Sequence, residues 1–104
     1  MKKLTSIDSF KEGTQVQGFY ICVEKYIRHT KSGDLYLDLE LRDITGNISS
    51  KIWDNISELN SKFEKGDAVA ISGYVESYLD HLQLIIRKIN KATVQYYGRY
   101  GFDP

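Results

Sequence analysis

The chain has 104 residues, in which 14 Lys and Arg balance 14 Asp and Glu. That length suits one domain with a single core, and 41% hydrophobic with 27% charged residues excludes a disordered polymer. Zero formal net charge makes whole-molecule attraction to a polyanion weak and excludes a uniformly basic binder, so any nucleic-acid site must be a local basic patch.

Residues 1–13 read as a lead-in, with Ile7 and Phe10 as anchors and Gly13 as a breaker. A long first strand starts near Thr14. Its segment Phe19-Tyr20-Ile21-Cys22-Val23 is apolar on both faces, so the strand should bend and bury a different side at each end, with Gly18 as the bend point. Its far end, Glu24 to Thr30, turns polar and basic, and Thr30 to Asp34 is a loop.

Strand two spans about Leu35 to Arg42, with leucine at 35, 37, 39 and 41. A turn at Asp43 to Gly46 leads into strand three, Asn47 to Trp53. This is a hairpin with one face committed to a core. The other face carries Tyr36, Asp38, Glu40, Lys51 and Trp53, which a core does not need.

A helix follows, with Asn55 as its cap and Glu58 returning the bond. Ile56, Leu59 and Phe63 share its inner face, and Gly66 ends it. Strand four spans about Ala68 to Ser77, with Val69, Ile71, Gly73 and Val75 on one face. Tyr78 to His81 is a turn, and strand five spans about Leu82 to Ile89. The only proline is at position 104, so none interrupts a strand.

Five strands with one helix between the third and fourth is the order of an all-β, five-stranded OB-fold Greek-key barrel. Closure also removes the edges of strands this apolar. An open five-stranded sheet with one helix ranks lower. The domain boundaries expected are 1–13 for the lead-in, 14–91 for the barrel and 92–104 for an aromatic-rich tail or linker. Cys22, the single cysteine, reads as a small buried hydrophobe and suits a reducing cytoplasm. The amino terminus lacks a signal peptide's apolar stretch, and no segment approaches the ~20 apolar residues of a membrane span. A cytoplasmic location is the expectation.

From Gly13 to Ile89 the chain resembles the nucleic-acid-binding OB-fold family that includes transfer-RNA anticodon-binding domains. The matching elements are Asp43-Ile44-Thr45-Gly46, Ile48 with Ile52-Trp53, and Lys65-Gly66-Asp67 with Val69, Ile71 and Gly73. More narrowly, it looks like the amino-terminal domain of YhaM-type 3′→5′ exoribonucleases, on Phe10-Lys11-Glu12-Gly13, the Lys31 to Leu39 run, and Lys51-Ile52-Trp53-Asp54. In that family the OB domain precedes a metal-dependent HD phosphohydrolase domain. His29 and His81, in separate loops or strand ends, do not supply an HD motif. The resemblance therefore implies a binding module without catalytic or metal residues, with an HD nuclease domain as a possible partner.

Single-stranded nucleic acid is held by stacking rings beside a basic groove. In OB-folds that groove crosses strands two and three, between the loops joining strands one and two and strands four and five. Alternation sets Trp53 outward if Ile48 and Ile52 point inward. OB domains such as those of replication protein A carry a stacking aromatic at that place and often a second at the tip where Tyr78 lies. Packing of Trp53 on the helix, and of Tyr78 on the barrel rim, are the structural alternatives. Tyr36 joins the groove or pairs across strands with Lys51 or Trp53. Lys25, Arg28, His29 and Lys31 form a basic cluster that Lys51 and Arg87 extend. Asp38 and Glu40 lie on the same side and oppose phosphate, so affinity should be modest and salt-dependent.

The sequence shows no metal-ligand cluster, nucleophile–base pair or phosphate-cradling glycine loop, and no cofactor is expected. The leading expectation is a single-stranded nucleic-acid-binding module, with RNA ranked ahead of DNA, serving as the substrate-binding part of an exoribonuclease. The alternative is a protein-interaction OB domain, favoured by zero net charge, Asp38, Glu40 and the tyrosine-rich tail from Tyr96 to Pro104.

Overall fold

The computed structural model describes residues 5–92. After a 3-10 turn at Ile7–Ser9, the chain forms β1 (Gln15–His29), β2 (Leu35–Asp43), β3 (Gly46–Ile52), α1 (Ile56–Asn60), β4 (Ala68–Tyr78) and β5 (His81–Lys91). The strands close into a barrel in the order β1-β2-β3-β5-β4. All neighbours are antiparallel except β3 and β5, which pair in parallel. The closed OB-type barrel expected from the element order is the architecture found.

The 15-residue strand β1 serves two partners. Gln15 to Ile21 pairs with β4, and Ile21 to His29 pairs with β2. The strand changes partner at Ile21 and its register is interrupted just beyond, whereas pairing runs unbroken through Gly18, the bend point expected from sequence. Cys22 pairs with Leu41 and Glu24 with Glu40, which leaves Val23 as a bulge. A bulge adds twist and lets one strand turn a barrel corner. Gly18 has another reason to lack a side chain: a Cβ there would lie 2.6 Å from the Tyr20 hydroxyl. That hydroxyl is anchored on the Thr5 carbonyl at 2.5 Å.

The barrel is filled by Val16, Tyr20, Cys22, Leu37, Leu39, Leu41, Ile48, Ile52, Val69, Ile71, Val75, Leu84, Ile86 and Ile89. Leucines 37, 39 and 41 point inward as the alternation requires, but Leu35 lies past the barrel end and is exposed. Cys22 is a buried free thiol, and burial, the largest influence, pushes its pKa up to about 11. A thiol held that high is not a nucleophile near neutrality. Ile7 and Phe10 belong to the same core, so the lead-in plugs the barrel instead of preceding it.

The Asp43-Ile44-Thr45-Gly46 turn holds this plug. Asp43 Oδ1 accepts from the Thr45 hydroxyl, Thr45 N and Gly46 N, while Oδ2 accepts from Ile7 N at 2.9 Å. The Thr45 hydroxyl accepts from Asp8 N at 3.0 Å. The turn motif is thus an Asx-type knot with a structural task.

The helix departs from its expected cap. Asn55 adopts a left-handed conformation (φ 55°, ψ 39°) and makes no side-chain cap bond. Its carbonyl instead accepts from Leu59 N at 2.9 Å. Leu59 and Phe63 are buried, the latter beyond the helix end, with Ile56 packed at the margin. Gly66, at φ +94°, reverses the chain, and Cys22 and Gly66–Asp67 exchange backbone bonds that lead into β4.

Candidate nucleic-acid interface

The outward residues of β1, β2, β3, β5 and β4 fall into rows across the barrel wall. One row is Arg28 opposite Tyr36, with Trp53 following β3 beside them. The next is Tyr26, Asp38, Lys51, Ile85 and Tyr74. The third is Glu24, Glu40, Ser49, Gln83 and Glu76.

Ile48, Ser50 and Ile52 are inside, so Trp53 faces out and is 44% exposed. Its ring lies 4.6 Å from that of Tyr36, tilted by 31°. This is a close, tilted ring pair at the near end of the centroid range that aromatic pairs favour. The cross-strand alternative for Tyr36 is therefore the geometry found, and the two rings make one platform with Trp53 half open.

Beside the platform, Arg28 Nε and Lys51 Nζ converge on Asp38. The distances are 2.6 Å to Oδ2 and 2.8 Å to Oδ1. Lys51 also meets the Ser49 hydroxyl at 3.1 Å, and the Arg28 guanidinium lies 4.8 Å from the Tyr26 ring centre. Burial alone would raise the Asp38 pKa, but hydrogen bonds from Lys51 and Arg28 outweigh it and hold the carboxyl below its ordinary value.

Other candidates sit elsewhere. Lys25 pairs with Leu39 on the inward side, and its side chain is only 10% exposed. Its ammonium donates to the Asn60 and Phe63 carbonyls and lies 4.3 Å from the Phe63 ring centre. It is not available to a phosphate on the outer wall. His29 and Lys31 are exposed at the end of β1 and in the following loop, with His29 opposite Leu35 and so on the other side of the hairpin from Arg28.

Arg87 is exposed, with its guanidinium 4.9 Å from the Tyr74 ring centre. Ser72 pairs with Lys88 and Gly73 with Ile86, so Arg87 is the extra residue of a bulge in β5. The bulge is what presents it, and sequence reading saw the arginine but not the bulge. Tyr78, 60% exposed, ends β4 opposite His81. Counted along the parallel β3–β5 register, its level is about 20 Å from Trp53 at the usual strand rise. Leu79 and Asp80 make the tip with φ of +50° and +63°, the conformation of a two-residue hairpin turn.

Between these ends lies an acidic hollow of about 330 Å³ lined by Glu24, Tyr26, Asp38, Leu39, Glu40 and Ser49. Glu24 is bridged by Lys65 at 3.2 Å. Among the described residues no His, Cys, Asp and Glu cluster is arranged to hold a metal. No helix among them is long and apolar enough to cross a membrane. The tail from Tyr96 to Pro104 lies outside the described residues.

A closed five-stranded barrel with a helix between β3 and β4 is an OB fold. Residues 21–92 match a family described as an OB-fold nucleic acid binding domain of the transfer-RNA anticodon type, and the chain belongs to that family. Among solved structures, it is similar to a domain of replication protein A from Methanococcus maripaludis, with 21% identity and a TM-score of 0.72 over 86% of this chain and 94% of that one. An OB domain from Methanosarcina mazei matches at 24% identity and a TM-score of 0.71, covering 89% and 87% of the two chains. The single-stranded DNA binding protein from Thermus aquaticus matches at 18% identity and 0.64, covering 76% and 40%. At these identities the likeness is one of fold.

Proposed function

We propose that this domain binds single-stranded nucleic acid across β2 and β3, with bases stacking on the Tyr36–Trp53 platform and phosphates running past Arg28 and Lys51. The observation that carries this reading is the half-exposed Trp53 ring, held against the Tyr36 ring, beside two cations on the outer wall. A core or a helix contact would have closed over that ring. Family membership supports the same ligand class.

In the finer reading the ligand is RNA, the setting is the cytoplasm, and the domain delivers substrate to an HD-type 3′→5′ exoribonuclease. Its support is the resemblance of Lys31 to Leu39 and of Lys51 to Asp54 to YhaM-type enzymes, together with the free buried Cys22. Tyr78 is a second contact for a strand long enough to reach it, within the roughly 4–16 nucleotides an OB fold accommodates. The acidic row of Glu24, Glu40 and Glu76 keeps one competing reading alive, a surface for a basic protein segment.

Fluorescence anisotropy of labelled oligo-U and oligo-dT at low salt tests the reading. Wild type should bind both, oligo-U more tightly, and Trp53→Ala should lose about 1–3 kcal/mol. Tyr78→Ala should weaken only the longer oligonucleotides. No binding at low salt, or Trp53→Ala binding as well as wild type, would refute it.

A further inference from the structure

We propose that Asp38 is a built-in competitor for the backbone: its carboxylate occupies, between Arg28 and Lys51, the place a nucleic-acid phosphate must take, and so sets the affinity and salt dependence of the groove. The inference deepens the single-strand reading above and rests on it.

The geometry is that of a bridged anion. Each carboxylate oxygen of Asp38 receives one cation, Oδ2 from Arg28 at 2.6 Å and Oδ1 from Lys51 at 2.8 Å. Those are distances for charge-assisted bonds, and a phosphate offers the same two-oxygen face. The three residues belong to adjacent strands, with Asp38 central and paired with Lys51 across β2–β3. Asp38 is two residues from Tyr36 on β2, so the anion lies about 7 Å from the stacking platform at the usual strand rise. That is where the backbone of a stacked nucleotide would pass.

The cations are also steered toward the carboxylate by other contacts. Tyr26 flanks the Arg28 guanidinium, and Ser49 accepts from Lys51. The bridge is open to solvent on one side: the Arg28 side chain is 49% exposed, against 23% for Asp38 and 17% for Lys51. An exposed ion pair is individually weak, so a phosphate can enter on the Arg28 side and displace the carboxylate instead of being shut out. The low pKa of Asp38 keeps the competitor charged at neutral pH.

Glu40 supplies a contrast on the same strand. It is exposed, and its carboxylate accepts only a long bond from the Asn47 amide at 3.5 Å. It repels phosphate without occupying a cation, so removing its charge frees no site.

The test measures oligo-dT affinity across a salt series for wild type, Asp38→Asn and Glu40→Gln. Asp38→Asn should bind about tenfold more tightly, the scale of two modest ion pairs released. Its dependence of log affinity on log salt should steepen by about 0.7, the contribution of one further phosphate engaged on a single strand. Glu40→Gln should tighten binding with little change in slope. In an Arg28→Ala/Lys51→Ala background the gain from Asp38→Asn should shrink to that of Glu40→Gln.

Inorganic tripolyphosphate, followed through the Lys51 ammonium signal by NMR, separates this inference from stacking because it has no base. It should bind Asp38→Asn more tightly than wild type even if Trp53→Ala leaves oligonucleotide binding untouched. Equal affinity and equal salt slope for Asp38→Asn and wild type would overturn the proposal, as would a gain that survives loss of both cations. Failure of both proteins to bind either probe would overturn it together with the reading it rests on. If Asp38→Asn does not fold, Asp38→Ser serves in its place.

Discussion

The ammonium of Lys25 sits 2.6 Å from the carbonyl oxygen of Phe63 and over the ring of that same residue. It closes the chain that follows α1 by satisfying the last carbonyl of the helix, at Asn60, and that of Phe63 beyond it. Lys25→Met keeps the aliphatic stem but leaves both carbonyls without their charged donor. It should cost about 1.5–3 kcal/mol in chemical denaturation, with oligonucleotide affinity of the folded fraction unchanged. A stable variant with weakened binding would return Lys25 to the interface.

Gly73 is the residue that lets β5 bulge at Arg87. A Cβ on Gly73 would come well inside contact distance of the Ile85 carbonyl, which is backbone and cannot rotate away. Gly73→Ala should therefore destabilise the barrel by about 1–3 kcal/mol and broaden or shift amide signals along Ile85 to Lys88. An unchanged melting temperature would show that the strands separate freely at this point.

Acid stability should carry the mark of Asp38. Its folded pKa lies below the ordinary value of 3.8, so the folded state binds that proton more weakly than the unfolded chain. The stabilisation is complete above the unfolded pKa, declines as pH falls through it, and is gone below the folded value. Denaturation midpoints measured from pH 6 to pH 2 should fall more steeply below about pH 4 in wild type than in Asp38→Asn. Parallel acid limbs for the two proteins would contradict this.

The barrel was legible in the sequence because its signals are local and repeated. Leucines 37, 39 and 41 and isoleucines 48 and 52 state which side of β2 and β3 is inside, and that parity correctly turned Tyr36, Lys51 and Trp53 outward. Lys25 was grouped with Arg28, His29 and Lys31 by nearness along the chain, which does not say which face each one takes, and parity would not have corrected it. Counting in twos from the buried Cys22 sends Lys25 outward, but the bulge at Val23 inserts one residue and turns it inward. A one-residue slip exchanges the faces of everything beyond it, and nothing in Cys22-Val23-Glu24 announces the slip. The helix cap failed for a related reason. Asn55 suits a capping position, yet the chain leaving β3 turns so sharply that Asn55 takes the left-handed conformation that asparagine tolerates. The Asp38 bridge was half visible: sequence placed Asp38 and Lys51 on one face and Arg28 in the basic cluster beside it, but could not say that the three meet.

Trp53 is the only tryptophan in the chain, and it stands at the barrel wall instead of in its core. Its indole emission therefore watches the groove and little else. Most single-domain proteins report their melting through a buried tryptophan; here a ligand covering the ring would alter the signal more than loss of the core would. The platform doubles as an unlabelled gauge of occupancy, with its neighbour Tyr36 close enough to pass excitation to it.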